Sequence, residues 1–346
     1  MDFALFSHVP WPEGTDPKQV YDDITEEFVL GEELGFKSAW IAEHHFTRYG
    51  LGSAPMVLAS NILAKTTTLR LGSAVLVSPL HLPARLAEET ATLDVLSGGR
   101  VDIGFGRGAA GSEYNVANVP LEESQSRFQE SITMIRGLWT TKDYSFEGQH
   151  YKITNANLVP PPVQSPHPPI YIAATRTKAT QEFVAGTGHP LIIGVVLDTV
   201  DALALCHTMV ALAKEKGQNM TMGQIPFFRY FYVAETEEQA KADSKAALDW
   251  NIDMIQWRRS FDFGSEVWEK IEDFRNTRTE LPPSYEYLYE NRAFIGSPDQ
   301  IIAKIKALQD QGIEYFGCNF SFGGMPQDKV LKSMQLFAKA VMPAFK

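Results

Sequence analysis

Short, almost wholly apolar runs alternate with longer amphipathic stretches along this chain, and that rhythm limits its fold more than any other feature. The apolar runs are FALFS (3–7), SAWI (38–41), LRLGSAVLV (69–77), VDIGF (101–105), PIYIAA (169–174), LIIGVVL (191–197), IPFFRYFYVA (225–234) and YFGCNFSF (315–322). Helical stretches follow them at about 16–34, 54–65, 83–96, 126–138, 178–185, 201–216, 237–250 and 328–342, the first closed by Gly35 at a C′ position. Strands that are apolar at every position are buried on both faces, as parallel strands are. Eight strand–helix units in 346 residues predict an α/β fold, a (β/α)8 TIM barrel running as one domain over 1–346; the open doubly wound sheet is the competing arrangement. Two segments interrupt the rhythm. Residues 147–169 are proline-rich (VPPPVQSPHPP) and predict a long surface connection. Residues 255–292 mix aromatic and charged residues and predict a large excursion after strand seven, the natural candidate for a lid over the barrel mouth.

Composition narrows the partners. A formal charge of −11 argues against nucleic acid or an anionic membrane surface, and no apolar run approaches a membrane span. The first residues, MDFALFSHVPW, have no basic region ahead of an apolar one, so no signal peptide is expected. Cys206 and Cys318 form no disulfide framework, which fits a reducing cytoplasm.

The stretch AEHHFTRYG (42–50) follows the second apolar run directly. In a barrel that is the C-terminal rim, where catalytic groups gather. Ser7, His8, Ser78, His81, Arg107, Thr175, Arg176, Asn319 and Ser321 emerge at the same level. Adjacent residues on extended chain point apart, so His44 and His45 make a poor pair of metal ligands, and no metal is expected. The choice left is between a packed turn and proton handling, the chemistry imidazole suits near neutral pH.

After the fourth run comes GRGAAG (106–111), a literal GxGxxG. The dinucleotide fingerprint turns straight into a helix; here the next clear helix lies well downstream, and an arginine sits inside the motif. Gly106, Arg107 and Gly108 instead suggest a backbone turn that offers N–H groups and a guanidinium to a phosphate. AATRTKAT (173–180), with Ala174, Thr175, Arg176 and Thr180, opens a helix whose free N–H groups also attract phosphate. Arg127, at the start of the long helix at 126–138, is a third candidate contact. A capped helix start with solvated charges explains each segment singly; together they favour a phosphorylated cofactor.

AEHHFTRYG, LGSAVLVSP, LDVLSGGRVDIGFGRG and the closing GSPDQIIAKI, GIEYFGCNFSFGG and SMQLFAKAVMPAF, in this order, resemble the bacterial luciferase-like monooxygenases, the alpha subunit of luciferase especially. The likeness runs from Met1 to Phe345. It implies a barrel that uses reduced FMN and O2, through a C4a-(hydro)peroxyflavin, to oxygenate an organic substrate. By position it implies that His44 is the catalytic histidine and His45 its supporting neighbour. Arg107 would bind the phosphate, with Thr175 and Arg176 in a further phosphate-contacting segment. Ser73, Ala74 and Val75 would hold a non-prolyl cis peptide against the flavin ring. Gly106 stands where the luciferase pattern has a reactive cysteine, and Thr175-Arg176 replaces an acid–serine pair, which sets the luminescence chemistry apart. Trp11, Phe46, Phe105, Tyr114 and Trp257 are candidates to line the mouth. With no separate dinucleotide fold in the chain, reduced FMN would come from a separate NAD(P)H:flavin reductase. The helix at 83–96, with Ala84, Ala87, Glu88, Glu89 and Ala91, falls in the family's dimer region, so a homodimer is expected. An F420-dependent oxidoreductase on the same barrel, a metal-dependent hydrolase and a non-catalytic flavin-binding subunit are the alternatives.

Overall fold

The computed structural model describes residues 1–175 and 177–345. Its strands are β1 (Asp2–Ser7), β2 (Ser38–Ile41), β3 (Arg70–Ser73), β4 (Leu76–Val77), β5 (Val101–Gly106), β6 (Tyr144–Glu147), β7 (Lys152–Ala156), β8 (Ile170–Ala173), β9 (Leu191–Ile192), β10 (Phe227–Val233), β11 (Ala293–Gly296) and β12 (Tyr315–Asn319). The α-helices are α1 (Pro17–Leu34), α2 (Pro55–Leu63), α3 (Pro83–Ser97), α4 (Gly111–Val116), α5 (Ser124–Thr140), α6 (Lys178–Thr187), α7 (Thr199–Glu215), α8 (Glu237–Arg258), α9 (Ile271–Thr277), α10 (Tyr285–Asn291), α11 (Pro298–Gln309) and α12 (Gln327–Leu336). Among these none is long and apolar enough to cross a membrane.

Side by side and parallel run β10, β12, β1, β2, β3, β5, β8 and β9. Ile193 then bridges back to Phe227, and the Phe228 N–H donates to Ile193 O at 2.9 Å, which closes the barrel. β4 continues the third barrel strand beyond a cis Ala74–Val75 peptide bond, where the family resemblance puts one, and pairs with β5. The interior is filled by large side chains set against glycines. Trp40 is fully buried opposite Gly72, where a Cβ would stand 2.2 Å from the indole; at Gly317 a Cβ would stand 1.9 Å from the Phe228 ring. Phe6 stacks on Phe228 at 4.8 Å. Burying each such ring stabilises the fold by about 1.5–3 kcal/mol, and pairing large with small is how a barrel interior packs. The helix signals act as expected: Asp16 caps α1 through the Lys18 N–H, and Gly35 ends it at φ 90°.

The structure departs from the sequence expectations in four places. The connection at 147–169 includes half of an antiparallel hairpin, β6–β7, ahead of its proline-rich part. The apolar run at 191–197 pairs only at its start; Ile193 and Val195 remain buried, so apolarity there serves packing more than pairing. Phe105 does not line the mouth: it is fully buried and tilts against Trp139 of α5, in the layer between barrel and helices. The excursion is ordered, with α9 and α10 leading into β11, which pairs with Tyr230–Val233 of β10. It is fastened over the histidine loop. Glu266, 1% exposed, accepts from Thr47 Oγ1 at 2.6 Å and from the Arg48 N–H at 2.7 Å, and the Asn115 side chain donates to Asp262 O at 2.6 Å.

Candidate active site

The end of β2 delivers Glu43, His44 and His45 into three different environments. Glu43 is 2% exposed. Its Oε1 accepts from Nε2 of both His45 (2.6 Å) and His81 (2.8 Å), and its Oε2 accepts from the Val77 N–H (3.0 Å). Burial pushes this carboxyl up, but the hydrogen bonds and charges of the two histidines hold it at about 2. Burial pulls His45 down, and Glu43 more than reverses it, so the ring titrates above its ordinary value. His45 and His81 therefore clamp β2 to β4 through one carboxylate.

His44 turns the other way. Its Nδ1 lies 3.0 Å from Arg258 Nη1 and 3.8 Å from Glu113 Oε1. A guanidinium only donates, so Nδ1 accepts and the neutral ring carries its proton on Nε2. That nitrogen has no hydrogen-bond partner among the described residues. Burial and then the Arg258 charge hold His44 below its ordinary range, against the pull of Glu113. Tyr49 meets its ring edge-on at 4.7 Å and His8 stacks at 5.8 Å; Arg258 also lies over the Tyr49 ring at 4.4 Å. His8 Nδ1 accepts from the Asn319 side-chain amide at 3.3 Å, so the neutral ring donates from Nε2 to Tyr49 Oη at 2.9 Å, and burial keeps it well below the usual histidine range.

The loop after β5 joins this cluster to the candidate phosphate site. Glu113, which accepts from the His45 N–H at 3.1 Å, and Tyr114, whose hydroxyl donates to Arg107 O, belong to α4 at its far end. The Arg107 guanidinium reaches Ser124 Oγ (3.1 Å) at the start of α5 and Thr177 Oγ1 (3.4 Å), the residue before α6. Both partners are neutral hydroxyls, and among the described residues no carboxylate pairs with it. Gly108, at φ 73°, brings the backbone against Val77 and Tyr114.

The remaining candidates divide. Ala74, Val75 and Gly108 line a cavity of about 120 Å³ together with His44, Glu113 and Arg258. Gly106 is buried behind Val75, where a Cβ would stand 2.3 Å from Val75 Cγ2. Ala174 is buried, Thr175 is exposed with its carbonyl accepting from Gln181 Nε2 at 2.8 Å, and Thr180 Oγ1 donates to Gln125 Oε1 at 2.6 Å. Arg127 is engaged elsewhere, on Glu123 at 2.7 Å. Arg176 lies outside the described residues. Trp257 stacks on Phe274 at 5.2 Å, inside the excursion. Arg258, Glu113 and Tyr49 were missed. In the sequence only their places hinted at roles, Glu113 in the stretch after the fourth apolar run and Tyr49 beside the histidines, and Arg258 is brought in by the excursion from 214 residues away.

Known proteins share this fold. The sequence profile of the luciferase-like monooxygenases matches residues 1–315. The oxygenase component of a flavin-dependent trigonelline monooxygenase from Acinetobacter baylyi is 30% identical over all of this chain and 96% of its own length. The crystal structure of monooxygenase RslO1 from Streptomyces bottropensis superposes with a TM-score of 0.86 at 25% identity, covering both chains fully. The oxygenating constituent of 3,6-diketocamphane monooxygenase from Pseudomonas putida, in complex with FMN, has the same fold, with a TM-score of 0.82 at 19% identity over 99% of this chain and 98% of that one. The chain belongs to the luciferase-like monooxygenase family.

Proposed function

We propose that this protein takes reduced FMN from a separate NAD(P)H:flavin reductase and, with O2, inserts one oxygen atom into a small organic substrate. The observation that carries this is the placement of Arg107 and His44 on one rim, joined by the loop 107–113. The residues suit the cofactor in kind. Arg107, free of carboxylates among the described residues and flanked by the Ser124 and Thr177 hydroxyls, would hold the phosphate with the N-terminus of α6. Ala74, Val75 and Gly108 line the cavity beside His44, where the ring system would lie. At about 120 Å³ the cavity is below the roughly 300 Å³ at which small-molecule sites begin, so binding the ring requires Arg258 or its neighbours to draw back.

When bound, reduced flavin supplies the electrons that activate O2. The protein's own groups keep water out and handle one proton. The excursion, fastened by Glu266, covers the histidine loop. His44, kept neutral by burial and Arg258, offers a proton at Nε2 and takes one back there. A cytoplasmic homodimer completes the proposal: Val57 and Leu96, on α2 and α3, are over 70% exposed, an apolar face suited to a second copy. His44→Ala is expected to retain reduced-FMN binding and lose substrate-coupled oxygen uptake; unchanged turnover would remove its proton role.

A further inference from the structure

Two groups compete for His44 Nδ1, and they require opposite states of it. Arg258 Nη1, 3.0 Å away, can only donate, so the nitrogen facing it is bare; Glu113 Oε1, 3.8 Å away, accepts, so a nitrogen bonded to it carries a proton. Glu113 is 4% exposed. Burial pushes its carboxyl up, but His44 and then Arg258 bring it below its ordinary value, so it is ionised. The His45 N–H donates to the same Oε1 at 3.1 Å and holds it beside the ring. The other titratable groups around His44 do not compete: His8 and Tyr49 meet it ring to ring, and Glu43 spends its oxygens on His45, His81 and the Val77 N–H. Arg258, which ends α8, is weakly held. Its Nε is buried without a hydrogen-bond partner, its Nη1 bonds a neutral ring, and Glu113 is 3.9 Å from it, beyond hydrogen-bond distance. It is also the longest side chain in the wall of the cavity of about 120 Å³, where Ala74, Val75, Gly108 and Ala109 have little side chain to withdraw.

We infer that Glu113 is the positioning residue for His44, and that Arg258 blocks it until flavin binding moves the guanidinium aside; Nδ1 then carries the proton, held by Glu113, and Nε2 becomes the acceptor. Closing 3.8 Å to an ordinary hydrogen bond takes about 1 Å of side-chain movement. One proton leaves Nε2 and one arrives at Nδ1 through water, so the ring stays neutral and the charge balances. In this tautomer Nε2 takes a proton and returns it; with Arg258 in place it has only a proton to give. The base thus forms only where a flavin is present to use it. The inference rests on the proposed function for the identity of the ligand that displaces Arg258, so its test is read from the ring nitrogens and not from turnover. Protein labelled with ¹⁵N-histidine is examined at a pH above the ring's titration in each variant, the His44 signals being those lost in His44→Gln. Flavin-free parent is expected to show a bare Nδ1 and a proton on Nε2. Flavin-free Arg258→Met is expected to invert that pattern, and adding Glu113→Gln to it should lower the share of the inverted form about tenfold, a neutral amide being the weaker acceptor. Saturating the parent with reduced FMN, without oxygen, should give the same inversion as Arg258→Met; this arm needs no variant, and thermal melts confirm that the variants are folded. A bare Nδ1 retained in Arg258→Met, or an inversion indifferent to Glu113→Gln, overturns the positioning role. Reduced FMN bound with Nδ1 still bare overturns the displacement of Arg258. Inversion in Arg258→Met in a protein that fails to bind reduced FMN leaves the role of Glu113 standing and overturns the proposed function instead.

Discussion

Replacing Glu43 by Gln removes one charge from the carboxylate that joins His45, His81 and the Val77 N–H while keeping the shape of the side chain. Burial alone would raise this carboxyl, yet its partners bring it from 4.5 to about 2. By linkage that drop corresponds to about 3 kcal/mol of native stability. The native value lies below the unfolded one, so the contribution is complete above pH 4.5 and disappears as pH falls toward about 2. His45 shows the same interaction from the other partner: its raised value means stabilisation held below its ordinary 6.5 and lost as pH rises through the native value. The two are one coupling and are counted once. Urea denaturation of the parent and of Glu43→Gln across the pH range should therefore show a gap of about 3 kcal/mol near pH 6, closing toward pH 2 and narrowing again in the alkaline range. A Glu43→Gln variant as stable as the parent near pH 6, or a gap constant from pH 2.5 to 5, would refute the charge network.

Other outcomes follow from the same geometry. Arg258→Met takes away the donor on His44 Nδ1 and the positive charge beside it, leaving Glu113, 3.8 Å away, and the more distant Glu43 to act on a ring otherwise bordered by His8 and Tyr49. The imidazole should then titrate at higher pH, seen in ¹⁵N spectra of flavin-free protein; an unchanged titration would remove Arg258 from the site. Gly317→Ala, whose Cβ would enter the Phe228 ring, should cost about 1–3 kcal/mol or more by chemical denaturation, whereas Gly111→Ala, with open space around it, should change stability by under about 0.5 kcal/mol. Glu266→Gln loosens the tie to Thr47 and Arg48, so amide exchange should quicken across 259–292 while the barrel strands hold their protection.

The barrel strands were legible because each is buried on both faces and so is apolar throughout; SAWI and VDIGF appear as β2 and within β5. β11 escaped because AFIG is four residues long and follows a charged segment without a turn signal of its own. The β6–β7 hairpin escaped because its residues alternate between half-buried and exposed, a pattern too short to stand out beside the prolines. At the site, His44 and Arg107 could be read because both follow apolar strands directly, and a barrel sends those positions to one rim. Sequence spacing could not tell that His45 faces Glu43 while His44 faces Arg258. That split depends on which way a loop turns after the strand, and on contacts made by an excursion two hundred residues on. Phe105 was assigned to the wrong side for a related reason: an all-apolar strand does not declare which of its faces looks inward.

The phosphate assignment of Arg107 is tested most directly by comparing the affinity of reduced FMN with that of reduced riboflavin, in the parent protein and in Arg107→Ala. Losing one charge-assisted, bidentate phosphate contact is worth about 1.5–3 kcal/mol. The substitution should therefore weaken FMN by one to two orders of magnitude, leave riboflavin nearly untouched, and bring the two affinities together. Equal losses for both flavins, or none for FMN, would contradict a rim that holds the phosphate at Arg107 and the ring beside His44.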